Sequence, residues 1–368
     1  PGGQTVKIAV LSVTLKGALL GERLRQTMAM PVDLYSRARG GLPEETVPFE
    51  NLSELVGTIF NQYDGLVFIM ATGIVVRVVA PHVKDKRSDP AVVVMDDAGI
   101  HAISLLAGHI GGANELTEKV AVAVGARPVI TTATDVAHLA APDVLAVKME
   151  LAIEPFEDLK LVNAAIVAGE RVPFFLDQDL AQAPKYMRIA TEMGVELLDM
   201  QQLHDGTCYD AAVVITDKEL YLPQLHIYLR PPTLSIGVGC RKGATSSQIG
   251  KAVKEACRKI GRSQQSIAIM CSSVAKQEEI GLLATAQQLE LPMQFYSNEE
   301  LQEMIDVYRL DISKFVQDEI GVGNVCEAAA LLGGRASSLL LPKTVYPKVT
   351  VAIAEVKFRW WESDPAMA

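Results

Sequence analysis

The chain has 368 residues, of which 49% are hydrophobic and only 5% aromatic, and it carries a formal net charge of −10. That length predicts two or three domains with cores of Val, Ile, Leu, Ala and Met. The acidic balance argues against a protein whose work is gripping nucleic acid or an anionic membrane, yet it admits an acidic small molecule held by a local basic patch.

Five cysteines, at 208, 240, 257, 271 and 326, are scattered without metal-ligand spacing. They read as ordinary thiols of a reduced, cytoplasmic protein with no protein metal site. No apolar run reaches the ~18–20 residues of a membrane span. Pro1-Gly2-Gly3-Gln4 reads as an expression remnant or a frayed terminus rather than a signal peptide.

Val6–Val13 reads as an opening strand, Lys16–Met28 as a helix and Val32–Tyr35 as a second strand. Asn51 or Ser53 caps a helix through Phe60, and Gly65–Met70 is the next buried strand. This alternation of apolar strands and helices predicts a parallel α/β sheet, in which loops at the carboxyl ends of strands carry ligands. Met70-Ala71-Thr72-Gly73 is such a loop, Gly73–Val83 a short helix ended by Pro81, and Ala91–Met95 a further strand leading to Asp96-Asp97. Glu115–Val124 is a helix and Pro128–Thr132 closes a first domain, residues 1–135.

Residues 136–232 read as a smaller α/β middle domain. Its helices fall near 143–150, 156–168 and 179–193, and its strands near 172–176, 211–216 and 224–229. Pro231-Pro232 is a stiff linker, because proline fixes φ and restricts its neighbour. Residues 233–368 alternate again: strands at 234–238, 266–271 and 293–296, helices at 246–259 and 278–289, a helix capped by Ser297 with Glu300, a helix near 324–333, and late strands near 337–341 and 349–356. The fold class is thus α/β in three domains, with mostly parallel sheets at both ends of the chain.

Chemistry-bearing residues concentrate between Gly65 and Asn114. Arg77, His82, Lys84, Lys86 and Arg87 fall within eleven residues behind a buried strand. Such a run suits carboxylates, since a guanidinium such as that of Arg77 can fork onto one. His109 stands among Gly108, Gly111 and Gly112, which predicts an exposed imidazole beside open N–H groups, able to move a proton. Its spacing from His101 is wrong for chelating a metal on one helix. Gly237-Val238-Gly239-Cys240-Arg241-Lys242-Gly243 approaches a dinucleotide fingerprint but spaces its glycines as GxGxxxG, and no acid follows the next strand. It reads as a second anion-binding loop. Glu327, in the first turn of a late helix, reads as a cap or as a carboxylate facing a cleft. No GxSxG, HExxH, Walker A or SxxK pattern occurs.

The segments MATGIVVRVVAPHVKDKRSDPAVVVMDDAGIHAISLLAGHIGGANELTEKVA, VITTATD, LSIGVGCRKG, EIGLLATAQQLELPMQFYS, GVGNVCEAAALL and VTVAIAE resemble the cobalamin-biosynthesis CbiG family, the cobalt-precorrin-5A hydrolases of the anaerobic vitamin B12 pathway. The resemblance spans nearly the whole chain and is poorest in the middle domain. The last block also resembles the CobE-type proteins. One departure is Cys271-Ser272-Ser273, where family members often carry an acid; Lys276 and Glu278 or Glu279 remain.

The resemblance implies hydrolysis of a δ-lactone on a cobalt-bearing tetrapyrrole polycarboxylate, with loss of acetaldehyde to give cobalt-precorrin-5B. Cobalt then belongs to the substrate and the protein needs no cofactor. Other corrin-pathway enzymes and a second copy of the chain are candidate partners. A non-catalytic corrinoid carrier is the alternative. In the implied mechanism His109 is the base, oriented by Asp97 or Asp96. Thr72–Gly73 and Gly111–Gly112 offer oxyanion donors. Arg77, Lys84, Lys86 and Arg241 hold carboxylates, and His82 and Asn114 complete the substrate-binding set. His101 and Glu327 stand next in line as catalytic groups.

Overall fold

The computed structural model describes residues 6–85, 87–132, 139–204 and 209–357. The chain divides into two compact units, Pro1–Val147 with Ile166–Gly169, and Lys148–Ala165 with Glu170–Ala368.

The first unit is built on a seven-stranded sheet of order β3-β2-β1-β4-β5-β6-β7. These strands are β1 (Ile8–Ser12), β2 (Val32–Ser36), β3 (Val47–Pro48), β4 (Gly65–Ile69), β5 (Ala91–Met95), β6 (His101–Leu106) and β7 (Arg127–Val129). The helices are α1 (Leu15–Thr27), α2 (Leu52–Ile59), α3 (Thr72–Val79) and α4 (Ala113–Val124). Strands β1, β4 and β5 are buried along their whole length, as parallel strands covered on both faces must be. Alternate residues supply two cores. Ile8, Val10, Val67, Val93 and Met95 face one layer with Leu24 and Val120, while Leu11, Phe68, Val92 and Val94 face the other with Val56 and Phe60.

The order of the sheet reverses at β1, which has β2 on one side and β4 on the other. The carboxyl ends of β1 and β4 therefore flank the crevice where open α/β sheets take ligands. Beyond β5 the direction changes. β6 is antiparallel to β5, pairing Ala102 with Met95 and Leu106 with Val92, and β7 runs with β6. No strand is expected at 101–106 from the sequence, yet β6 forms there, and its reversal carries its exit to the opposite edge from that of β5.

The second unit carries two five-stranded sheets. One has the order β10-β9-β11-β12-β8 and is formed by β8 (Ala152–Glu154), β9 (Phe174–Leu176), β10 (Leu197–Asp199), β11 (Ala211–Ile215) and β12 (Leu225–Arg230). It is parallel except for β8, which is antiparallel to β12. Helix α5 (Pro142–Met149) starts within the first unit, and α6 (Leu159–Val167) and α7 (Ala183–Glu192) follow along the stretch of chain that carries this sheet.

The other sheet has the order β15-β14-β13-β17-β16. It comprises β13 (Leu234–Cys240), β14 (Ile267–Ser273), β15 (Met293–Tyr296), β16 (Leu339–Tyr346) and β17 (Val349–Glu355), with β17 antiparallel to both neighbours. Its helices are α8 (Ser246–Lys259), α9 (Ile280–Gln288), α10 (Asn298–Tyr308), α11 (Lys314–Ile320) and α12 (Cys326–Gly334). Helix α12 is almost wholly buried against the sheet. Gly237 permits this close approach: a Cβ there would overlap the carbonyl oxygen of Cys326.

Candidate active site

The chemistry-bearing residues between Gly65 and Asn114 lie at two opposite edges of the first sheet. The carboxyl edge holds the exits of β1, β4 and β5. Because β6 runs the other way, its exit lies at the entry of β5, on the amino edge.

At the carboxyl edge, Thr14 caps α1 by accepting the Gly17 N–H at 3.0 Å, and its hydroxyl donates to Asp97 at 2.8 Å. Asp96 accepts the N–H groups of Ala98, Ile100 and His101 at 2.9, 3.2 and 2.7 Å. Burial pushes its carboxyl up, but these three bonds outweigh burial and hold it below the ordinary aspartate range. His101 Nδ1 lies 3.5 Å from the same carboxylate. Thr72 and Gly73 open α3, and no acceptor among the described residues takes either N–H. Arg77 is exposed and donates to the Gly73 carbonyl at 3.2 Å.

At the amino edge, Ala107–Gly112 makes a tight turn into α4. The Gly112, Ala113 and Asn114 N–H groups donate to the carbonyls of His109, Ala107 and Gly108 at 3.0, 3.1 and 2.9 Å. Gly112 sits at φ 81°, and a Cβ on Gly111 would run into Ala107. Asn114 is buried, accepts the Ser104 hydroxyl at 2.6 Å and donates to Thr132 at 3.1 Å. The His109 imidazole is also buried, its side chain 7% exposed, with Nδ1 3.0 Å from the equally buried Asp143 carboxylate. The other oxygen of Asp143 accepts the Val144 N–H at 3.2 Å.

The 82–89 loop lies on this edge too, and its charges are partly structural. Asp89, 5% exposed, accepts the Lys84 N–H with both oxygens at 3.1 Å. Arg87 pairs with Asp85 at 3.1 Å, and the His82 ring stacks at 5.7 Å on Phe60. The Lys84 side chain is exposed, while Lys86 lies outside the described residues.

Four expectations change. The His109 imidazole is 7% exposed and turned onto Asp143 rather than standing open to solvent. The carboxylate beside it is Asp143, not Asp97 or Asp96, which the reversal of β6 carries to the far edge. The Gly112 N–H is consumed within the turn, leaving Gly111 as the amide of that pair with no acceptor among the described residues. Thr72–Gly73 and Gly111–Gly112 do not share one oxyanion site. Asp143 is missed because an aspartate after Pro142, in the first turn of a helix, reads as an ordinary helix-start residue.

Two further residues belong to the second unit. Arg241 lies on a cleft of about 630 Å³. Glu327 is 7% exposed, accepts the Lys343 N–H at 2.8 Å and pairs with the Asn324 side chain. Its own N–H donates to Asn324 at 3.2 Å, so the carboxylate ties the start of α12 to β16. The amides of the expected anion loop are also engaged. Arg241 N–H donates to the Lys348 carbonyl at 2.9 Å, Ala244 N–H to the Arg241 carbonyl at 3.1 Å and Gly243 N–H to the Glu279 carboxylate at 3.3 Å. Among the described residues no group of three His, Cys, Asp or Glu side chains is arranged to hold a metal ion.

Three family models match in chain order: Cobalamin synthesis G N-terminal over residues 54–135, Cobalamin biosynthesis central region over 140–231 and Cobalamin synthesis G C-terminus over 234–354. The chain is 30% identical over 365 residues to a cobalt-precorrin-5A hydrolase of Priestia megaterium, covering 95% of both chains. It is 34% identical over 330 residues to a cobalt-precorrin-5A hydrolase of Salmonella typhimurium, covering 88% of this chain and 91% of that one. A shorter match, 30% identical over 123 residues, covers 33% of this chain and 79% of the protein CobE of a Sinorhizobium species.

Proposed function

This chain belongs to the cobalamin-biosynthesis CbiG family, and from that premise we propose how its residues carry out the reaction. The protein is a cobalt-precorrin-5A hydrolase. The observation that carries this is identity of 30% and 34% to two such hydrolases along nearly their full lengths. The substrate brings its own cobalt, and we assign the protein no resident cofactor. Among the described residues no helix is long and apolar enough to cross a membrane. We assign a cytoplasmic location from the scattered cysteines, which lack a disulfide or metal-ligand pattern.

We assign the base to His109. A carboxylate at Nδ1 fixes the ring and stabilises the imidazolium that forms when Nε2 takes a proton. Water loses a proton to Nε2, and its oxygen adds to the lactone carbonyl, whose oxyanion the Gly111 N–H is suited to meet. The acyl C–O bond then breaks, giving the ring A carboxylate and a secondary alcohol. Deprotonation of that alcohol breaks its C–C bond to the macrocycle. The electron pair passes into the ring, which takes up a proton, and acetaldehyde leaves. One water is consumed and one acetaldehyde released. Lys84, on the loop at this edge, and Lys86 are the side chains we assign to the substrate's carboxylates, while Arg77, at the opposite edge, goes with the competing site.

Asp97, with Asp96, His101 and the Thr72–Gly73 amides, forms the competing site, because those residues lie at the carboxyl edge of the sheet. One experiment separates the two. Purified His109→Ala and Asp97→Asn variants, checked for folding by circular dichroism, are incubated with cobalt-precorrin-5A and acetaldehyde is assayed. The His109 variant is expected to lose activity by about 10²–10⁴-fold. Release near the wild-type rate from His109→Ala, with loss in Asp97→Asn, moves the chemistry to the carboxyl edge. A wild-type chain that binds the substrate without releasing acetaldehyde is a carrier instead.

A further inference from the structure

The cleft of about 630 Å³ in the second unit falls in the size range of small-molecule sites. Five cations line it, Arg241, Lys242, Lys276, Lys343 and Lys348, and among the described residues no carboxylate does. They come from three places, the β13–α8 loop, the turn after β14 and the β16–β17 hairpin. In a chain of net charge −10 this is a concentrated positive field. Among the described residues no carboxylate lies within ion-pair distance of Lys242, Lys343 or Lys348, and Lys276 has Glu279 at 3.4 Å.

The backbone under these cations is tied down before any ligand arrives. The Arg241 N–H bonds the Lys348 carbonyl at 2.9 Å, and Glu327 holds the Lys343 N–H at 2.8 Å. Between the cations the wall is apolar, with Val316, Ile320, Val325 and the half-buried Tyr346. Phosphate sites rely on nests of backbone N–H groups. Here those of Arg241, Gly243 and Ala244 are already taken by protein acceptors. What remains is an apolar surface ringed by separated point charges. A flat, apolar ring with carboxylates spread around its rim is the complement of that surface.

We propose that this cleft binds a tetrapyrrole polycarboxylate, with the ring on the Val316–Tyr346 wall and its peripheral carboxylates on Lys242, Lys343 and Lys348. The identification of the ring as a corrin-pathway intermediate rests on the hydrolase reading above; the match of charge and shape does not. Lactone opening adds one carboxylate, so the product suits the cleft better than the substrate. That gives the second unit a part in holding what the reaction releases.

The test uses the full chain and uroporphyrin, a stable tetrapyrrole octacarboxylate, titrated by its fluorescence. Lys343→Gln with Lys348→Gln is expected to weaken binding about tenfold or more and to flatten its salt dependence. A matched double variant on the exposed face of α8, Lys251→Gln with Lys254→Gln, is expected to bind as wild type. Equal losses in both doubles, or none in the first, overturn the proposal. So does ATP competing for the cleft as well as the porphyrin. Acetaldehyde release by the wild-type chain is read separately. Release without any effect of the cleft variants overturns the cleft alone. No release, with binding lost in the cleft variants, overturns the hydrolase reading alone.

Discussion

A single histidine shows how far the sequence carries and where it stops. The glycines around His109 mark a tight turn, and the turn is there. They do not say which way it faces. The imidazole is buried, and its carboxylate partner lies 34 residues further on, at Asp143. Such a contact is set by how α5 approaches the exit of β6, which no local spacing encodes. The cysteines are the converse case. Their scattered spacing reads as inert thiols, and burial pushes Cys257 and Cys271 up to about 12 and Cys326 to about 11, far from the reactive thiolate range. The pairing of His109 with Asp143 predicts the effect of Asp143→Asn. An amide in place of the carboxylate keeps the volume but no longer stabilises an imidazolium. kcat for acetaldehyde release should fall by about 10²-fold or more while KM changes far less. A balanced loss in KM with kcat intact shows instead that Asp143 only shapes a binding surface.

At the scale of elements, apolar runs and caps were readable and strand direction was not. The runs at β1, β4, β5 and β11 stand out as strands, because strands buried on both faces carry such nearly continuous apolar sequence. Ser297 and Glu300 form the expected capping box on α10. β6 is polar at its start and only half-buried, so its sequence has no strand period to read. Its reversal decides that His109 and Asp97 sit at opposite edges. The glycine motif of the last sheet is a second such case. Gly237, which reads as part of a ligand loop, is where α12 lies against β13, and Gly243 takes φ 73°. Gly237→Ala must push the backbone of α12 off the sheet. That overpacking should cost about 3 kcal/mol or more, measured as a fall in the urea midpoint. An alanine variant of wild-type stability means that α12 is not seated on β13 in solution.

For the whole chain, alternating elements predict three α/β sheets and three sheets are present, yet the chain forms two compact units. What joins the two sheets of the second unit is a polar network invisible to hydrophobic patterning. Asp217, 2% exposed and just after β11, accepts the Thr233 hydroxyl at 2.7 Å and pairs with the Arg262 guanidinium. Its carbonyl takes the Ser263 N–H at 2.8 Å. Beside it Arg230, 3% exposed, bonds Glu154 at 2.7 Å, and Ser263 reaches the same Glu154 oxygen at 2.7 Å. Residues from the two sheets thus satisfy one another's buried groups, and neither sheet can leave without exposing or stranding them. Asp217→Ala removes one carboxylate and strands Thr233 and Arg262 together. Unpaired buried groups cost about 1–3 kcal/mol each, with Arg262 at the low end because it is 23% exposed. The loss falls on the joint rather than on either core. The calorimetric transition of the second unit should therefore move down by several degrees and broaden or split as the sheets begin to melt separately. A single transition that shifts no more than that of a surface alanine variant shows that the apolar cores alone hold the two sheets together.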